Sequence, residues 1–390
     1  MNQQRIIIVG GGILGLATAY NLLMQGFIRV TVLEQATIDH DRGSSHGSSR
    51  LLRFEYGNDT LYTGMVNLSL ERWKKLEQQT QRHLYTPTGV LVLGHENDNF
   101  ARPGYDTVRK LGYAPERLTH AASAQRFPQF NTADYDFISY NMDAGMMHAS
   151  TCLKVLRDCI IDMGGTIQER QRVTSIEHED LLKPIRLLLA NGDTIEADRV
   201  IVAAGPWVHR LLGKMELPVR LTHQYLLYFA NLPASLYGVN ACPAFIAGDL
   251  YGFPMHQITE NGPSWFKAAS HEFGAPADPD EPPHIDQQAI KQVVERLYHL
   301  IPALQQADLT QIEAFMYDVS IDEDFILDYM PNDKRIILGT GLSGHAFKFG
   351  ILLGELVSSL VSEEEPVVPM TRFKLSRFAA HQNEHSHSIA

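Results

Sequence analysis

Gly10-Gly11-Gly12-Ile13-Leu14-Gly15 and Glu34 combine residue types and spacing that suggest chemistry. The glycines fit G-x-G-x-x-G, and Glu34 follows Gly15 by 19 residues. Each part has a physical reason. Gly10 makes a tight turn. Gly12 removes the Cβ that would block a pyrophosphate, and Gly15 lets a helix pack close to a strand. The N-terminus of that helix, at Ile13, favours phosphate charge, and the Glu34 carboxylate accepts ribose hydroxyl bonds. An acidic residue favours an unphosphorylated ribose, so the pattern points to FAD or NAD over NADP. The plain alternative is a Gly-rich turn without a ligand.

A second set of residues is cationic. Arg50 and Arg53 lie three apart, with no acidic residue between Asp41 and Glu55. A guanidinium stays charged and binds bidentately, so this pair suits a carboxylate or a reduced flavin anion. The alternative is a surface loop making solvated ion pairs. Lys348 stands between Phe347 and Phe349. It shares a face with His345 near the start of an expected helix, where cations are disfavoured unless an anion compensates. The alternative is that Lys348 snorkels to the surface. Lys267 and His271 are four apart and share a face if the segment is a strand. An ordinary exposed strand face would look the same. Tyr251 and Tyr317 read by themselves as core tyrosines. His381, His385 and His387 resemble a metal-binding tract, but their polar surroundings fit a solvated tail, and no metal site is expected.

These residues need elements to position them. Arg5–Val9 reads as a buried parallel strand, Ile13–Met24 as a helix closing near Gly26, and Val30–Leu33 as a second strand. Residues 41–57 read as a loop. Leu61–Gln79 is a candidate amphipathic helix. Tyr85 to Tyr140 reads as short strands and turns. Thr151–Met163 is helical, and Gly165–Ile176 a turn and strand. Ile185–Leu189 and Thr194–Ala197 flank Asn191-Gly192, a hairpin signal. Arg199–Ala204 is another buried strand. Residues 220–273 are strand-like and aromatic, and a Pro/Asp loop follows at 276–284. Gln287–Leu300 and Gly344–Val361 read as helices, Glu313–Val319 and Arg335–Gly339 as strands.

Length and composition bound the whole. The 390 residues suggest two domains at roughly 100–200 residues each. A net charge of -12 argues against broad nucleic-acid binding. No apolar run approaches the ~20 residues of a membrane helix, and three consecutive glycines break the N-terminal run as a secretory signal. Cys152, Cys159 and Cys242 are too few for a disulfide framework and fit a reducing cytoplasm.

Two further strand-to-glycine turns, VIVAAG at 200–205 and IILGTG at 336–341, favour FAD over NAD. They resemble the glutathione-reductase-like FAD fold. Over nearly its whole length the chain resembles the monomeric sarcosine oxidase and N-methyltryptophan oxidase family of D-amino-acid-oxidase-like flavoproteins. The resemblance rests on GGGILG with Glu34, GSSHGSSRLLRFEYG at 43–57, FMYDVSIDEDFILDYMP at 315–331 and GLSGHAFKFG at 341–350. YGFP at 251–254, with Lys267 and His271, adds to it.

The resemblance implies an α/β fold in which a Rossmann FAD-binding domain (1–84, 145–219 and 320–375) interleaves with a mixed β-sheet substrate domain (85–144 and 220–319), followed by a tail at 376–390. It implies oxidation of the C–N bond of a secondary amino acid, N-methyl or cyclic, with oxygen as acceptor and hydrogen peroxide as product. A dehydrogenase or tailoring enzyme using another acceptor is the alternative. Arg53 and Lys348 would clamp the substrate carboxylate, with Tyr251 in the pocket. Lys267 would activate oxygen, His271 and Tyr317 would line the cavity, and Arg50 and His46 would flank the flavin. Gly10, Gly12, Ile13, Gly15, Glu34, Ser45, Ser49, Arg50, Val173, Gly205, Gly341, Gly344, His345 and Lys348 would bind the cofactor. The family commonly attaches its flavin through a cysteine just before the Met-Tyr of the third segment. Here that residue is Phe315, which implies non-covalent FAD of lower oxidising power. The expected partners are a small amino-acid substrate and oxygen, with no nucleic acid and no membrane, and a monomer is slightly favoured.

Overall fold

A computed structural model describes residues 3–379 apart from Lys214, Glu260 and Pro283. The tract His381, His385 and His387 lies outside the described residues. Ile6–Val9 is a fully buried, mostly β-branched run, which suits the middle of a sheet covered on both faces. It pairs in parallel with Arg199–Val202 on one side and Val30–Leu33 on the other. Asp333–Thr340 and Thr166–Gln168 extend the sheet in parallel, and Ile326–Met330 closes one edge antiparallel, giving six strands. The registers Val9↔Leu33, Val9↔Val202 and Val202↔Leu338 bring the C-terminal ends of four strands level. Ligands of such sheets bind beyond those ends.

Helix α1 (Ile13–Met24) follows the first strand directly. The Phe27 N–H reaches the Leu22 carbonyl and the Gly26 N–H the Leu23 carbonyl, the paired bonds of a Schellman closure. The helix Gly350–Ser362 packs against α1 so closely that a Cβ on Gly354 would sit 2.4 Å from the Ala17 carbonyl carbon. Helix α2 (Thr60–Thr80) is capped by Asp59, whose carboxylate accepts from the Tyr62 N–H, and buries Leu70, Trp73 and Leu76 in the same core.

The second large sheet has eight strands, in the order Asp308–Ser320, Val219–Ala230, Ser264–Ser270, Leu250–Gln257, Ala244–Ala247, Val90–Gly94, Phe137–Asn141 and Glu116–Arg117. Its pairs are antiparallel except Ala244–Ala247 with Val90–Gly94. The helix Gln287–Leu300 covers one face through Ile290, Leu297 and Leu300. The other face turns Tyr228, Phe315 and Tyr317 inward. Both sheets draw on separated stretches of chain, as the interleaved α/β expectation requires.

Several local expectations need correction. The stretch from Tyr85 to Tyr140 contains the helices Ala101–Lys110 and His120–Arg126 as well as strands; Pro103-Gly104, which reads as a turn, lies within the first, and the second is only seven residues long. Arg50–Leu52, expected within a loop, is a strand paired with Gly145–Met147. The helix expected from Gly344 begins at Gly350, after a 3-10 turn at Phe347–Phe349; Gly344, with φ +73°, cannot start a right-handed helix. His271 lies one residue past the strand Ser264–Ser270. Residues 376–378, expected in the tail, belong to the 3-10 turn Leu375–Phe378, whose Phe378 is buried.

Candidate active site

The level strand ends open into a cleft. Its lining includes Gly10, Gly12, Ile13, Glu34, Ser45, His46, Val173 and Gly205. Gly10 has φ +113°, and a Cβ there would lie 2.2 Å from the Ala203 carbonyl oxygen. Gly15 packs still closer, since its Cβ would meet the Gly10 oxygen. The Glu34 carboxylate accepts from the Gly11 N–H at 2.7 Å and the Ala36 N–H at 2.8 Å. A carboxylate offers about four lone-pair positions, so acceptor capacity remains for a hydroxyl-bearing ligand. The Ser45 hydroxyl accepts from the Ile13 N–H at 3.0 Å, fixing the loop 44–46 over the start of α1. At the rim, Asp280 holds the Trp207 indole N–H and pairs with Arg210, so the Pro/Asp loop reaches back to the cleft.

A second cavity brings together Arg50, Arg53, Tyr251, His271, Tyr317, Gly344, His345 and Lys348. Strand alternation connects it to the first. Tyr317 faces the second cavity while its neighbour Asp318 lines the first cleft. Gly344 fits beneath Tyr317, where a Cβ would sit 2.3 Å from the ring.

The cations spend their donors on main-chain carbonyls. Arg50 donates to the carbonyls of Ser44, His46 and Ser49, so the loop wraps around its guanidinium. Arg53 donates to the Glu55 carbonyl and lies 4.1 Å from the centre of the Tyr56 ring. Lys348 Nζ donates to the His345 carbonyl at 2.9 Å. Lys267 Nζ donates to the Ser49 carbonyl at 3.0 Å. Burial, then Arg50, pushes the Lys267 ammonium well below the usual lysine range; burial, then Arg53, does the same at Lys348. Lys267 does not line the second cavity. It lies behind it, against Phe253 and Tyr228.

Three histidines differ. His271 is pushed down to about 4 by burial, then Arg53 and Lys348, and packs edge-on against Tyr251 and Tyr317. His345 Nε2 faces the Glu323 carbonyl, which can only accept, so the proton sits there and Nδ1 accepts from the Tyr56 hydroxyl at 3.2 Å. His46 is raised by its hydrogen bond to Asp39 and belongs to the cleft, away from the second cavity.

Sequence reasoning missed several neighbours. Asp318 is a buried carboxylate pushed up to about 6 by burial, and it accepts from the Leu342 N–H and the Thr340 hydroxyl. Tyr56 joins Arg53 to His345. Asp318 and Tyr56 both fall inside the quoted motifs, but only the strand register and the distances give them a role.

Residues 5–360 match the family profile described as DAO, FAD dependent oxidoreductase. The chain belongs to this family. Peroxisomal sarcosine oxidase of Mus musculus is 30% identical over 391 residues, covering 97% of each chain. N-methyl-L-tryptophan oxidase of Yersinia pestis (strain Pestoides F) is 27% identical over 386 residues, covering 96% of this chain and 99% of the relative. Among solved structures, L-proline dehydrogenase from P. horikoshii superposes with a TM-score of 0.83 at 19% identity, covering 97% of this chain and 99% of that one. Glycine oxidase from Geobacillus kaustophilus superposes at 0.79 and 19%, with the same coverage. These structures establish the shared fold. The protein is therefore an FAD-dependent oxidoreductase of the amine and amino-acid oxidase class.

The residues fit the cofactor that the family uses. A Cβ on Gly12 would project to 3.1 Å from Ser45 Oγ, into the space over the N-terminus of α1. The buried His40 Nδ1 in the cleft wall and Ser49 Oγ beside Arg50 have no hydrogen-bond partner among the described residues. Unpaired buried donors and acceptors of this kind call for a polar ligand.

Proposed function

We propose that this flavoenzyme oxidises the C–N bond of a secondary amino acid, N-methyl or cyclic, to an imine, with oxygen as acceptor and hydrogen peroxide as the second product. The convergence of Arg53 and Lys348 with Tyr251, His271 and Tyr317 on one cavity beside the dinucleotide cleft carries this reading. Bound FAD supplies the two-electron acceptor. Gly10, Gly12, Ile13, Gly15, Glu34, Ser45, Ser49, Val173, Gly205 and Gly341 would hold it, with Arg50, His46 and the turn of Gly344, His345 and Lys348 beside its ring system. Phe315 offers no thiol, so the FAD is held non-covalently.

The protein groups bind and orient. Arg53 and Lys348 receive the substrate carboxylate, whose charge offsets their burial. Their combined field, with that of Arg50, disfavours a protonated amine in the same cavity, so the amine proton leaves to solvent and the nitrogen lone pair becomes available. Tyr251, Tyr317 and His271 line one wall of the cavity; at its depressed pKa the His271 imidazole is neutral near pH 7. Lys267, held by the Ser49 carbonyl, would favour electron transfer to oxygen in its protonated form, which a reduced flavin anion would stabilise against burial and Arg50. Residues 1–84, 145–219 and 320–375 would form the FAD-binding domain, and 85–144 and 220–319 the substrate domain. The free thiols of Cys152, Cys159 and Cys242 suit a reducing compartment, the cytoplasm.

The test is direct. Purified protein should be yellow, should release FAD on acid precipitation, and should bleach anaerobically with an N-methyl or cyclic amino acid. Air should then restore the colour with one peroxide per turnover. Absence of flavin, or no bleaching across such substrates, would overturn the proposal. Bleaching without reoxidation in air would assign the electrons to a different acceptor.

A further inference from the structure

Helix α2 presents Tyr62, Ser69 and Trp73 to the turn that carries Lys348. Their spacings of seven and four residues place them on one face. Ser69 and Trp73 are fully buried. A serine inside a helix ordinarily turns its hydroxyl to the carbonyl one turn back, or to solvent. Ser69 does neither. Its Oγ donates to the Lys348 carbonyl at 2.5 Å, and the Trp73 indole N–H donates to the same oxygen at 2.9 Å. Two buried donors from one helix thus converge on one residue of a short 3-10 turn. Tyr62 adds side support, stacking on Tyr56 at 5.1 Å and meeting His345 edge-on at 5.3 Å. Lys348 is held at both ends, its carbonyl by α2 and its ammonium by the His345 carbonyl.

We propose that Ser69 and Trp73 are positioning residues for substrate binding: by fixing the Lys348 main chain, they aim its ammonium at the substrate carboxylate. The inference rests on the carboxylate role of Lys348 proposed above. Neither side chain lines the cavity, so neither touches substrate. Their effect is felt only through the lysine, and this separates positioning from simple packing of α2 against the turn.

A double-mutant cycle tests it on the FAD-loaded enzyme. Ser69→Ala and Trp73→Phe are each made with Lys348 intact and with Lys348→Met. Propionate, a carboxylate without an amine, is titrated by the flavin absorbance. With Lys348 intact, each variant should raise the propionate Kd by roughly three- to tenfold, as expected for one lost hydrogen bond. In the Lys348→Met background the same changes should raise it less than about twofold, because the group they aim is gone. Within each background, FAD content should be unchanged by Ser69→Ala or Trp73→Phe. Ser69→Ala removes a single oxygen and carries the test if Trp73→Phe lowers the melting temperature too far. Equal weakening in both backgrounds, or no weakening with Lys348 intact, overturns the inference. An unchanged Kd for Lys348→Met by itself overturns the carboxylate role, and the inference falls with it.

Discussion

Two cations converge on the ring of Tyr56: Arg53 at 4.1 Å and Lys348 at 5.2 Å from its centre. An aromatic face relieves part of their mutual repulsion, but burial and Arg53 still drive the Lys348 ammonium toward neutrality. The sign of the pH dependence follows. A bound carboxylate favours the charged lysine, so binding above the lysine's depressed pKa takes up a proton. The propionate Kd should therefore rise with pH, by up to about tenfold per unit, and Lys348→Met should flatten that slope. Titrations at several pH values would show it, and a slope retained in Lys348→Met would refute it. Lys267→Met removes positive charge behind the cavity. Flavin reoxidation by oxygen should slow by about 10²-fold or more, with anaerobic reduction by substrate little changed, as read by stopped flow. Arg50, Arg53, Lys267 and Lys348 stood out in the sequence because cations amid small or aromatic neighbours need an explanation. Asp318 and Tyr56 did not, because one depends on which way a strand alternates and the other on a ring reached only after folding.

The turn between Thr340 and Phe347 joins both halves of the site. Leu342 borders the first cleft, and Gly344 and His345 border the second cavity. Gly344 holds φ +73° under the Tyr317 ring, so an added methyl group meets both backbone strain and a clash. Gly344→Ala should destabilise the protein by about 1–3 kcal/mol and displace Tyr317, lowering both the melting temperature and substrate affinity; wild-type values for both would contradict this account. The sequence predicted the wrong start for the following helix here, since apolar periodicity continues through 344–349 while the glycine's backbone breaks the helix. Elements with strong local signals were legible: Ile13–Met24, Val30–Leu33, the Asn191-Gly192 hairpin and Gln287–Leu300 all form as expected. Helix α2 was legible as a helix, but its role was hidden, because Ser69 and Trp73 find their acceptor some 275 residues away in sequence.

At the scale of the whole molecule, the cleft joins elements that the chain leaves far apart. The dinucleotide cleft draws on the first strand, the loop 44–46, the strand end near Gly205 and the turn at Leu342. Phe315 is a buried ring packed against Tyr317, and Cys152, Cys159 and Cys242 line neither the cleft nor the second cavity. If FAD is held non-covalently, as proposed, its binding is an equilibrium whose free energy adds to folding stability. A ligand that binds only the folded state at a hundredfold excess over Kd contributes about 2.7 kcal/mol. For a chain of this length that raises the melting temperature by about 3 °C, with a further rise for each tenfold increase in free FAD. Differential scanning calorimetry across a series of FAD concentrations measures this directly. A melting temperature independent of added FAD, with flavin still attached to the denatured chain, would show a covalent bond formed through another residue.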